Sequence, residues 1–222
     1  MIKIKNIKTV TIPKNYCLVE AIDDSDNLSA GGIDIQLGNT KEGLKYNEGE
    51  FSVRRGYLIQ LPDKVTYNEA GTPWMNDMRP VLGNVVFFDY LSGKVCEKVI
   101  CNDKIYYILP YRSLVLHLDP NMDTDTIIML NGFMLAQQLP KPRESALEIK
   151  DEMYEDRFVI KQAGICNRDY INGKIDDESV QEGSRVMTLA KNYPTLEADF
   201  QLRLDGEKYV YFKRETVIGI LT

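Results

Sequence analysis

KIYYILPYRSLVLHL (residues 104–118) reads as an aromatic strand, a short break around Arg112, and a closing apolar strand. EKYVYFKRETVIGIL (207–221) has the same layout, with a charged start, an aromatic strand, Arg214 and a closing apolar run. A second correspondence lies upstream. Gly83 precedes NVVFF and Gly183 precedes SRVMTL, each after an extended segment, RPVL and SVQE. Matches in the same order predict a chain written twice.

The surrounding sequence fits that reading. YCLVEAI (16–22), GYLIQL (56–61), NVVFFDY (84–90), KIYYIL (104–109) and SLVLHL (113–118) are short β-rich runs cut by turn residues. A second set follows: IIMLNGFMLAQQL (127–139), RFVIKQAG (157–164), SRVMTLA (184–190), FQLRL (200–204), EKYVYF (207–212) and TVIGIL (216–221). Such spacing predicts an all-β protein of small barrels or sandwiches. One short helix is expected within ESALEIKDEMYED (144–156), where an ordered loop competes with it. The acidic run DPNMDTDT (119–126) is the natural boundary between residues 1–119 and 126–222. It lacks the turn glycine and closing glutamate of a calcium loop and reads as a solvated linker.

Composition narrows the function. The chain has 222 residues, enough for one large domain or two of about a hundred residues each. A net charge of −6 argues against nucleic-acid binding, which needs a basic stripe to replace phosphate counterions. No apolar run approaches the roughly eighteen residues of a membrane span. The lysine–isoleucine alternation at the start lacks the core of a secretory signal, so a cytoplasmic location is expected. Cys17, Cys96, Cys101 and Cys166 form no C-x-x-C pair and read as reduced structural thiols.

Enzyme chemistry finds no foothold. The single histidine, His117, sits inside the strand pattern LVLHL. Phosphate-binding glycine loops, a nucleophile elbow and a metal-ligand cluster are all missing from the sequence. We therefore expect no catalytic residue, no metal and no cofactor.

SAGGIDIQL (29–37) is the remaining feature. Gly31 and Gly32 supply the residue types of a two-residue turn. In an extended chain Ile33, Ile35 and Leu37 fall on one side and Asp34 and Gln36 on the other. The same letters suit an ordinary hairpin or a segment that leaves the body to grip a partner.

In order and spacing, these segments resemble two tandem copies of the GroES-type co-chaperonin family. KNYCLVEAI takes the place of the opening strand, DDSDNLSAGGIDIQL of the mobile loop, VLGNVVFFDY of the glycine-plus-strand segment and SLVLHL of the closing strand. The second copy supplies NGFMLAQQL, a degenerate loop around SALEIKDE, FVIKQAG, VQEGSRVMTL and ETVIGIL. The resemblance implies two small GroES-like β-barrels, a homo-oligomeric ring and an ATP-driven chaperonin as partner. It implies partner contacts at Gly31, Gly32, Ile33, Asp34, Ile35 and Leu37, with Leu147 and Ile149 in the second loop. Trp74, in GTPWMNDMRP (71–80) where the family's roof hairpin lies, is an interface anchor or packs on its own barrel. Asp34 departs from the family's apolar tripeptide and is tolerable only if it faces solvent. The closing strands fill a core or join neighbours. The alternative function is a structural ring or adaptor in a larger assembly such as a virus particle.

Overall fold

The computed structural model describes residues 2–22, 28–30, 33–35, 53–63, 65, 80–89, 92, 96–121, 126–142, 152–164, 180–189 and 209–221, with backbone alone at 28–30, 33–35, 53–54 and 89. It is all-β. The first strands are β1 (Ile2–Ile4), β2 (Tyr16–Ala21), β3 (Leu28–Ala30), β4 (Ile33–Ile35) and β5 (Val53–Gln60). There follow β6 (Val85–Asp89), β7 (Glu97–Cys101), β8 (Lys104–Pro110), β9 (Leu114–Leu118) and β10 (Ile128–Met129). The remainder are β11 (Phe133–Pro140), β12 (Met153–Ala163), β13 (Arg185–Thr188), β14 (Val210–Lys213) and β15 (Val217–Leu221).

Two main sheets result, and they share one plan. The first runs β1-β7-β8-β2-β5-β6-β9-β10 and the second β14-β11-β12-β13-β15. The inner part of the first, β8-β2-β5-β6-β9, has the same chain order and the same antiparallel pairing as the whole second sheet. Among the described residues the pairings form rows with two ends.

The repeat extends to irregularities. β2 slips against β5 between Leu18, opposite Gln60, and Val19, opposite Leu58. β11 slips against β12 between Leu135, opposite Gln162, and Ala136, opposite Ile160. A second bulge sets Phe88 against Leu114 in one sheet and Thr188 against Val217 in the other. Bulges bend and twist a strand at a fixed place, so matched bulges mean matched curvature.

This register corrects one sequence-level pairing. Tyr111–Ser113 and Arg214–Thr216 are the 3-10 turns between the last two strands of each sheet. The Tyr111 amide donates to the Asn15 carbonyl at 2.8 Å, and the Arg214 amide to the Gly132 carbonyl at 2.9 Å. Tyr111, not Arg112, is therefore the counterpart of Arg214, and both are buried. Ser113 and Thr216 close their turns identically, each hydroxyl donating at 2.7 Å to the carbonyl of Pro110 or Lys213.

Other expectations need revision. The expected helix at 144–156 gives way to strand from Met153, because Pro140 pairs with Met153 and Gln138 with Phe158; residues 144–151 lie outside the described ones. The single run at 127–139 is two strands. Asn131 (φ 52°) and Gly132 (φ 74°) turn the chain between them. The lysine–isoleucine start is itself a strand, β1, lying parallel to β7. β10, although past the expected boundary, joins the first sheet by pairing with β9.

Packing explains why the apolar runs are continuous. Cys17, Val19, Leu58, Val86, Phe88, Tyr107, Leu109 and Leu114 form one core on the first sheet. Met134, Ala136, Phe158, Ile160, Val186, Val210, Phe212 and Val217 form its counterpart on the second. A third core joins the sheets, with Phe87, Leu116 and Leu118 against Met129, Phe133, Leu135 and Tyr211. β2, β9 and β11 are thus buried on both faces, which reads as unbroken hydrophobicity rather than alternation. A fourth cluster places Ile4, Ile7, Val10 and Ile12 over Leu18, Tyr106 and Ile108.

Candidate partner-binding surfaces

Among the described residues β3 and β4 pair only with each other. Leu28 lies opposite Ile35, Ser29 opposite Asp34, and Ala30 opposite Ile33. The hairpin expected from SAGGIDIQL is thus present as backbone, and its ladder is separate from both main sheets. Ile33, Asp34 and Ile35 make up β4. Their backbone is extended, the condition on which the expected alternation depends. Gly31, Gly32, Leu37, Trp74, Leu147 and Ile149 lie outside the described residues.

A two-stranded hairpin has few means of holding itself together in water, because most sheet stability comes from burying a face. A hairpin with no ladder to the body suits a segment that completes its packing on something else.

The second surface lies on the second copy's closing strand, for which the sequence left open a place in the core or at a contact with neighbours. β15 ends the second sheet, and Ile218 and Ile220 on it are 47% and 42% exposed. Leu189, whose amide donates to the Thr216 carbonyl beside this strand, is 74% exposed. A Cβ built on Gly219 would meet nothing within 4 Å. One signal in TVIGIL marks it: the glycine stands where the first copy has Leu116, which is fully buried. Val81 and Leu82 are also exposed, at the turn before Gly83.

A cleft of about 270 Å³ opens between the residues before β2 and the end of β8, lined by Pro13, Tyr16, Cys96, Glu97, Ile108 and Pro110. Ser92 completes the lining, so its polar groups are two hydroxyls, one thiol and one carboxylate among apolar side chains.

The titratable groups have structural surroundings. The Cys17 thiol is pushed up to about 12 by burial and donates to the Leu109 carbonyl at 3.4 Å. A thiol held neutral is a poor nucleophile. Tyr106 is also raised to about 12, by burial first and then by its 3.0 Å hydrogen bond to Glu20, which Lys104 pairs with as well. His117 is buried in β9. Among the described residues no group of three His, Cys, Asp or Glu side chains is placed to hold a metal ion. No helix among them is long and apolar enough to cross a membrane.

Neither a protein-family model nor a curated protein sequence matches this chain.

Proposed function

We propose that this chain is a GroES-like co-chaperonin, built as two tandem small barrels, that assembles into a ring and caps an ATP-driven chaperonin. The observation that carries the reading is the β3–β4 hairpin, which among the described residues pairs only with itself and is set between β2 and β5 of a twice-repeated sheet. That is the place at which the segment order of the co-chaperonin resemblance puts its partner-gripping loop.

The mechanism follows from the energetics of a small hairpin. Docking Ile33 and Ile35 into an apolar groove would contribute about 1.5–3 kcal/mol for each side chain buried. Ordering the segment offsets much of that, so one contact is weak. A ring presents several at once and converts later contacts into intramolecular ones. The protein itself performs no chemistry in this reading; ATP hydrolysis belongs to the partner.

Mixing the protein with a chaperonin and ATP, then separating complexes by size, tests it. Co-elution that is lost in the Ile33→Ser, Ile35→Ser double variant supports the assignment. Equal binding by that variant rejects the hairpin as the grip. Absence of any complex, with the protein found instead in purified particles, selects the structural-ring reading.

A further inference from the structure

From the charge beside β1 and the edge that this strand leaves open, we propose that it takes up an extended acidic segment of another protein as a further strand of the first sheet. Residues 1–19 hold Lys3, Lys5, Lys8 and Lys14 and no Asp or Glu, in a chain whose net charge is −6. All four lysines are exposed, and none forms an ion pair among the described residues. The nearest carboxylates by position, Glu97 at the start of β7 and Asp103 in the turn after it, are exposed and pair with none of them.

β1 ends the row of the first sheet. It lies parallel to β7, with Lys3 opposite Ile100 and Ile4 opposite Cys101, and among the described residues no strand pairs with its outer side. A strand hydrogen-bonds on two sides, so β1 keeps backbone donors and acceptors for one more partner. Its side chains offer two environments. Ile4 packs in the fourth cluster beside Ile7, and both are only half-buried; Lys3, and Lys5 just after the strand, are exposed. An added strand presents alternate residues to opposite faces. One that alternates carboxylates with apolar side chains meets lysine on one face and extends the isoleucine surface on the other.

Lysines along an edge guard it against chance pairing. The guard is selective. It repels strands that carry Lys or Arg and leaves a neutral strand to crowd unpaired ammonium groups. A carboxylate meets the same groups as charge-assisted partners. The excess acid elsewhere in the chain does not cancel this, because exposed charges are screened beyond about 8 Å at physiological ionic strength. Nor is a basic edge general to the fold: β15, at the far end of the second sheet, is VIGIL and carries no charge. Recognition of this kind draws affinity from main-chain hydrogen bonds and specificity from alternate side chains.

β1 lies upstream of the segments that carry the co-chaperonin resemblance, so this inference stands apart from the proposed function. Fluorescence anisotropy of a labelled peptide, Glu-Val-Glu-Thr-Glu-Val, titrated with the full chain, tests it. Saturable binding is expected, weakened about tenfold or more in the Lys3→Glu, Lys5→Glu double variant. Lys161→Glu, which changes an exposed lysine on β12, should bind as wild type does. Circular dichroism and the melting midpoint show that both variants are folded. A peptide of the same sequence, N-methylated at alternate residues, keeps the charge but loses the main-chain donors; on wild-type protein it should not bind. No binding of the first peptide, or equal binding by the N-methylated peptide or by the double variant, overturns the inference. Binding of heparin or of anionic vesicles without binding of the peptide overturns it too, and marks a surface for polyanions instead.

Discussion

The Gly83 and Gly183 amides do the same work in successive repeats, each donating at 2.8 Å to the strand before it, at Leu58 and Ile160. Both glycines are left-handed, with φ 90° and 85°. The next residue completes the motif in both: the Asn84 side chain accepts from the Val81 amide at 2.7 Å, and the Ser184 hydroxyl from the Gln181 amide at 3.0 Å. A Cβ at either glycine would meet nothing within 4 Å, so its cost is purely conformational. Gly83→Ala and Gly183→Ala should each lower unfolding free energy by about 1–2 kcal/mol. Gly56→Ala should cost more, since its Cβ would run into the Glu20 carbonyl oxygen. Urea denaturation of the three variants checks the order.

Asn131 fastens the start of the second repeat to the end of the first. Its Nδ2 donates to the carbonyls of Tyr111 at 2.8 Å and Leu114 at 3.0 Å, inside the protein. Asn131→Ala should cost about 1–3 kcal/mol, the range for leaving buried acceptors without their donor. Asn131→Asp should cost at least as much, because a carboxylate puts acceptors against acceptors. Thermal unfolding measured beside wild type decides it.

Gln162 clamps β10, its Nε2 donating to the Ile127 carbonyl at 2.7 Å and its Oε1 accepting from the Met129 amide at 2.8 Å, and Gln60 holds the same register position in the first sheet. Gln162→Leu removes both bonds to β10 and should destabilise by about 1–3 kcal/mol. Among the described residues Gln60 makes no such side-chain bonds, so Gln60→Leu should change stability by less than about 0.5 kcal/mol. A loss at Gln162 no larger than that at Gln60 would count against the clamp.

Alkaline pH should weaken the fold. Cys17 and Tyr106 are both held above their ordinary values of 9.0 and 10.0, at about 12. The unfolded chain releases these protons first, so their contribution is present below about pH 9 and declines as pH rises toward 12. The slope from Cys17 is at most about 1.4 kcal/mol per pH unit. Cys17→Ala should flatten the stability profile between about pH 9 and 11, measured by urea titration, even though it lowers stability at neutral pH.

Much of this fold was legible in the residues. Strands buried on both faces, such as Leu114–Leu118, announce themselves as unbroken apolar runs, and the two glycine turns mark the repeat. What stayed hidden depended on partners far along the chain. Ile2–Ile4 becomes a strand only because Val99–Cys101 lies beside it. Met153–Asp156 is drawn from its helix-like spacing by pairing across to Pro140. The arginines at 112 and 214 align by eye, whereas hydrogen bonds to Asn15 and Gly132 fix the register one residue away. Of the expected site, Ile33, Asp34 and Ile35 sit in the hairpin. The sequence left the closing strands open between core and contact; Ile218 and Ile220 are exposed where the first copy's closing strand is buried, and Gly219 is the residue that sets the two runs apart.

Amide hydrogen exchange at residues 28–35, with and without a chaperonin and ATP, tests the proposed function most directly. A free two-stranded hairpin exchanges quickly, and docking protects it. The account predicts protection appearing at Leu28–Ala30 and Ile33–Ile35 when chaperonin and ATP are both present. Unchanged exchange there, in protein shown to be bound, would contradict it.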